Sequence, residues 1–153
     1  MHFARHIYQS APLGSPIKYG NGEPRPPERF TRKLRAWEHE NGTGRLVERT
    51  PASANLPAMF TLHLGDFGSE GVIIMVVRRL FSTASRNPFE IVETPKPGMV
   101  RVLTGTGHRE ELRFLAPDMA GAERWMEAHH YSDMRVEVVP DPDPVVLPTP
   151  KAA

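Results

Sequence analysis

The chain has 153 residues, the size of one ordinary domain, and its hydrophobic fraction of 39% is enough for a single core, while 16 prolines and 12 glycines assign much of the length to turns. Lys+Arg of 19 against Asp+Glu of 18 leaves a formal net charge of +1, so any nucleic-acid argument rests on local patches and not on the whole molecule. The absence of cysteine excludes disulfides, thiol nucleophiles, iron–sulfur clusters and cysteine zinc sites, and it fits a reducing cytoplasm.

Residues 1–27 read as an irregular arm, because Pro12, Gly14, Pro16, Gly20, Gly22, Pro24, Pro26 and Pro27 interrupt any regular element. Met1–Tyr8 contains no apolar run of signal-peptide length, which also favours a cytoplasmic protein. Tyr19-Gly20-Asn21-Gly22 is a turn, since Asn and Gly tolerate positive φ. Pro27 then opens a helix expected to run to about Glu40 and to stop at Asn41-Gly42-Thr43-Gly44. Within it Phe30, Leu34 and Trp37 recur at i, i+4 and i+7 and share one face. Arg29, Arg32, Lys33 and Arg35 spread over the rest. A short strand is expected at Arg45–Arg49 and a loop over Thr50–Pro57.

The middle of the chain reads as sheet. Met59–Leu64 alternates Phe60, Leu62 and Leu64 with Thr61 and His63. Asp66–Gly71 is expected to connect it to the β-branched run Val72–Val77, which continues as strand toward Phe81 and is far too short to span a bilayer as a helix. Further strands are expected at Phe89–Glu93, Met99–Leu103 and Glu111–Leu115, with turns at Ser85–Pro88 and Thr104–Gly107. Asp118 is the predicted N-cap of a second helix with the stripe Met119, Ala122, Trp125, Met126 and His129. Met134–Val139 alternates as a last strand. The proline-punctuated residues 140–153 read as a disordered tail. The expected architecture is α+β: a mostly antiparallel sheet of five to six strands with one N-terminal and one C-terminal helix, residues 28–139 forming the single domain.

Among the segments with chemical potential, the basic helix is the most specific. Arginine holds phosphates bidentately, so Arg29, Arg32, Lys33 and Arg35, widened by Arg25 and Arg45, form a candidate surface for nucleic acid or an acidic protein. Glu28, Glu38 and Glu40 offset part of that charge. Thr104–Glu111 joins a glycine turn to His108, Glu110 and Glu111, but it matches neither GxxxxGK[ST] nor GxGxxG. His129 and His130 are adjacent, hence about 100° apart on a helix, and HExxH and HxxxH are absent. His130 and Asp133 with His108 or His63 have no metal-site spacing. Asp66-Phe67-Gly68 matches the kinase magnesium triplet, but the chain lacks the glycine-rich loop, the β3 lysine and HRD. His63, Asp66 and Ser69 have no GxSxG elbow to support a hydrolase.

Trp37 and Trp125 are expected to anchor their helices, and Phe67, Phe81 and Phe89 would stack bases only if exposed beside arginines. The reading is therefore a small non-enzymatic binding or accessory protein, without cofactor, metal or membrane association, that engages nucleic acid or an acidic partner through the basic helix. Two alternatives stand beside it. One is a protein-interaction module, such as an inhibitor or a regulator from a mobile element. The other is a small metal-dependent hydrolase or nuclease using His108, Glu110, Glu111 and His130.

Overall fold

A computed structural model describes residues 3–69 and 72–141, and of residues 66–69 and 72–75 the backbone alone. Its elements in chain order are α1 (Ala4–Ser10), β1 (Pro16–Tyr19), α2 (Thr31–Glu40), β2 (Gly42–Thr50), β3 (Met59–Ser69), β4 (Val72–Ser82), β5 (Phe89–Ile91), β6 (Val100–Thr104), β7 (Glu111–Ala116), α3 (Met119–Ala128) and β8 (Arg135–Val138), with a single 3-10 turn at Gly107–Arg109. The class is the expected α+β, but the sheet has 8 strands. All of its pairings are antiparallel.

The strand order is β4-β3-β2-β7-β6-β8, and β2 organises it. One edge of β2 pairs with β3 from Arg45 to Thr50. The other edge is divided: Gly42–Arg45 pairs with β1, and Glu48 meets Glu111 of β7. The chain bends between these halves at a bulge between Leu46 and Glu48. Gly44 sits where the sheet closes tightly, since a Cβ there would lie 2.7 Å from Leu64 and 2.8 Å from Leu62.

The strand β4 covers the expected span, whereas β3 is longer than its sequence run suggests. Asp66–Ser69 continues β3, where a connecting loop is expected, because the irregular positions at Gly65 and Gly68 are absorbed as register shifts between paired strands. Residues 70–71 of that expected connection, and residues 142–153 of the expected tail, lie outside the described residues.

The N-terminal segment corrects the expectation of an irregular arm. Residues 1–27 contain both α1 and β1, and they supply Ala4, Ile7, Ala11, Leu13, Ile17 and Tyr19 to the main core. Prolines and glycines punctuate this segment without excluding it from the fold, because apolar residues between the breaks still find a sheet to cover. There they meet Leu46, Phe60, Leu62, Phe89, Leu103 and Leu112. An aromatic group of Tyr19, Phe60, Phe81 and Phe89 closes this core, with ring centroids 5.1–5.7 Å apart. Phe89 is thus a core residue, and the half-buried Phe81 packs against that core.

A second cluster joins Val100, Val102, Ala116 and Ala122 to Phe114, Trp125, Met126 and Met134. Here α3 lies on β6 and β7, and its first turn is capped as its sequence predicts: the Asp118 carboxylate accepts the Gly121 N–H at 2.7 Å. Arg101 ties the two regions together. Its buried guanidinium donates to the Leu13 carbonyl at 2.8 Å and pairs with Glu137 at 2.6 Å.

Candidate anion-binding surfaces

The basic helix exists, but it is shorter and more external than its apolar spacing predicts. Phe30 is the N-cap residue, with no side-chain hydrogen bond capping the first turn, and no residue of α2 is buried. Leu34 and Trp37 are half-buried, and Phe30 remains 41% exposed. Trp37 is therefore not the core anchor that its position on the stripe suggests.

Polar contacts hold the helix in place. The Trp37 indole N–H donates to the Glu23 carbonyl at 2.8 Å. Asn41 donates to the Trp37 carbonyl at 2.8 Å and to the Asn21 side chain at 3.2 Å. From β4, Arg79 donates to the His39 carbonyl at 2.6 Å and pairs with Glu40 at 3.5 Å. Two of the last carbonyls of α2, those of Trp37 and His39, are thus satisfied by side chains. Between Trp37 and the sheet is a cleft of about 420 Å³, lined by Tyr19, Asn41 and Phe89 among others.

The structure brings Arg29, Arg32, Lys33 and Arg35 together on or beside α2, all exposed. Arg29 and Lys33 flank the Phe30 ring, at 4.8 Å and 5.3 Å from its centroid. Arg25 reaches the same side of the molecule and lies 4.0 Å from Glu38, an exposed pair that is worth little. Among the described residues, no ion pair engages Arg32, Lys33 or Arg35.

Arg45 belongs elsewhere. It projects from β2 into a separate groove of about 410 Å³, also lined by His63, Arg78, Arg113, Trp125, His129 and Tyr131. Cross-strand register builds this groove: Arg45 is opposite His63, and His63 is opposite Arg78. The Arg45 guanidinium donates to the Gly14 carbonyl at 2.6 Å. Glu111 pairs with both Arg78 and Arg113, the latter at 3.3 Å. Arg113 also donates to the Thr104 hydroxyl at 2.9 Å and sits 4.4 Å from the Tyr131 ring centroid.

One wall of the groove is aromatic. Trp125 stacks on Phe114 at 5.4 Å and on His129 at 4.0 Å, and the Tyr131 ring is within 2° of parallel to it at 6.0 Å. Glu48 stands opposite Glu111 at the edge of this arrangement. Burial, and then the neighbouring Glu111 charge, push the Glu48 carboxyl above its ordinary value, against the opposing pull of Arg78 and Arg113.

Sequence reading missed this groove because its cations come from separate strands. The available signal was modest: Arg45, His63, Arg78 and Arg113 are each followed or preceded by apolar residues in separate strand runs. Only register shows that three of them form one row.

The other candidates are dispersed. His108 and Glu110 line a pocket of about 220 Å³ with Tyr8 and Arg49, and Glu110 pairs with Arg135 at 2.8 Å. Burial lowers the Arg49 pKa, and its guanidinium donates to the Tyr8 carbonyl at 3.0 Å. Neither Glu111 nor the exposed His130 lines that pocket. Among the described residues, no group of three or more His, Asp or Glu side chains is arranged to hold a metal ion. No helix among them is long and apolar enough to cross a membrane.

No curated protein and no solved structure matches this chain. The sequence pattern of one family spans residues 2–143, and the chain thereby belongs to the family described as uncharacterised conserved protein UCP036055.

Proposed function

We propose that this is a non-enzymatic binding protein that engages nucleic acid through the exposed basic face of α2. The observation that carries the reading is a helix that buries none of its residues while keeping Arg32, Lys33 and Arg35 exposed and without ion pairs among the described residues. A helix gains most of its stability in a protein from packing an apolar face, so one that packs so little is suited to a partner outside the fold. Phosphates suit these cations, and the flexible Arg and Lys chains follow a backbone without reading its bases.

Fluorescence anisotropy with labelled single- and double-stranded DNA and RNA, over a salt series, tests the proposal. The logarithm of affinity falls with the logarithm of salt by about 0.7–0.9 for each phosphate engaged. Reversing Arg32, Lys33 and Arg35 to glutamate abolishes binding and leaves the fold intact. Binding that survives the reversal, or no binding even at low salt, overturns the proposal and directs the search to acidic protein surfaces.

A second reading, a protein-interaction module, has an observation of its own. The strand β4 is 11 residues long and pairs with β3 alone among the described residues, with Val76 and Leu80 exposed. An open strand edge is a template for strand addition.

A further inference from the structure

We propose that the groove between β2, β4, β7 and α3 binds a small phosphomonoester with a flat, ring-bearing body, the class to which mononucleotides belong. The site shares no lining residue with the cleft at α2, and the inference is independent of nucleic-acid binding by that helix.

Strand register gathers the cations that would hold an anion. Arg45 and Arg78 stand on either side of His63 in one cross-strand row, and Arg113 enters the same groove from β7. Cations gathered on one sheet face repel each other unless anions intervene. Glu111 is the only carboxylate paired with these arginines among the described residues, and it is shared between Arg78 and Arg113. Arg45 has a backbone carbonyl as its partner, which satisfies a hydrogen bond without neutralising charge. Guanidinium groups on separate strands suit a tetrahedral dianion, which accepts hydrogen bonds on several oxygens at once.

A flat body is suggested by the aromatic wall, whose Tyr131 ring lies beside Arg113. Trp125 stacks with Phe114 and with His129, and these rings and that of Tyr131 are all within 8° of parallel to it. Tyr131, 44% exposed, carries that orientation to the surface of the groove. Val47, Leu112 and Leu115 supply apolar lining between the two walls. Such a combination of apolar lining with a few convergent polar groups, in a volume of about 410 Å³, is typical of a small-molecule site.

The test titrates the 5′-monophosphates of adenosine, guanosine, cytidine and uridine into the full chain by calorimetry. A Trp37→Phe variant makes Trp125 the sole tryptophan, so its fluorescence reports on this groove. Adenosine and inorganic phosphate serve as the two part-ligands. At least one nucleotide is expected to bind about tenfold more tightly than either part, with a change in Trp125 emission. Arg45→Gln weakens that binding by about tenfold, and Arg78→Lys weakens it through lost bidentate geometry. Thermal melting verifies that both variants fold, and the triple α2 reversal leaves nucleotide binding unchanged. Failure of all four nucleotides to bind overturns the proposal. So does binding indifferent to both arginine variants, or inorganic phosphate binding as tightly as the nucleotides.

Discussion

Two helices of the same length in this protein have opposite relations to its core. Each has 10 residues, and each carries a tryptophan on an apolar stripe. The helix α3 has a capping aspartate and presents Gly121 and Ala122, both buried, to the sheet. Small residues there let the backbone approach closely enough for Trp125 and Met126 to join the second cluster. The helix α2 has no side-chain cap and no buried residue; its Trp37 closes a cleft while hydrogen-bonded to a loop carbonyl. Amphipathic spacing identifies a face, but small side chains at the contact point determine whether that face reaches the core.

The sharpest way to break this comparison is to remove each tryptophan. Trp125→Ala is expected to destabilise the protein by about 2–3 kcal/mol, somewhat below the usual cost for a fully buried aromatic because Trp125 is half-buried. Trp37→Ala is expected to cost under about 1 kcal/mol, since little of α2 contributes to the folded core. Chemical denaturation of the two variants measures the difference, and equal losses would place both helices in the same structural role.

The turn between β6 and β7 gives the next largest effect. Gly105 has φ +77°, and a Cβ there would strike the Arg109 carbonyl, so Gly105→Ala is expected to lose about 1–3 kcal/mol in the same assay. Asp118→Ala removes the cap that α2 lacks, and is expected to lose about 1 kcal/mol, read as a lower melting temperature.

The smallest effect concerns Glu48. Burial and then the Glu111 charge push its carboxyl above its ordinary value, so the folded protein holds that proton more tightly than the unfolded chain. The associated stability is fully present below the unfolded value and is lost as pH rises through the folded one. Glu48→Gln is therefore expected to melt slightly higher than the parent at neutral pH, with the advantage shrinking toward acid. A variant that melts lower at neutral pH would show that the Arg78 and Arg113 charges outweigh burial at this position.

Particular residues explain how much of this was legible in sequence. The α+β class, the Asp118 cap and most strands followed from period-two and period-3.6 patterns together with turn chemistry. The role of residues 1–27 did not, because Ile7, Leu13 and Ile17 are spaced too irregularly between prolines and glycines to announce a shared core. The far end of β3 escaped because register shifts beside Gly65 and Gly68 look like breaks. At the candidate surfaces, the contiguous cations of α2 were readable as one run. Arg45 was assigned to the wrong neighbourhood, since its partners His63 and Arg78 are brought to it by strand pairing alone.

Amide hydrogen exchange, with and without a single-stranded oligonucleotide at low salt, tests the central contrast most directly. The account predicts that amides of Thr31–Glu40 exchange through local opening while those of Met119–Ala128 approach global protection, and that the oligonucleotide slows exchange selectively over Thr31–Glu40. Equal protection of the two helices, with no change in α2 on addition of the oligonucleotide, would contradict it.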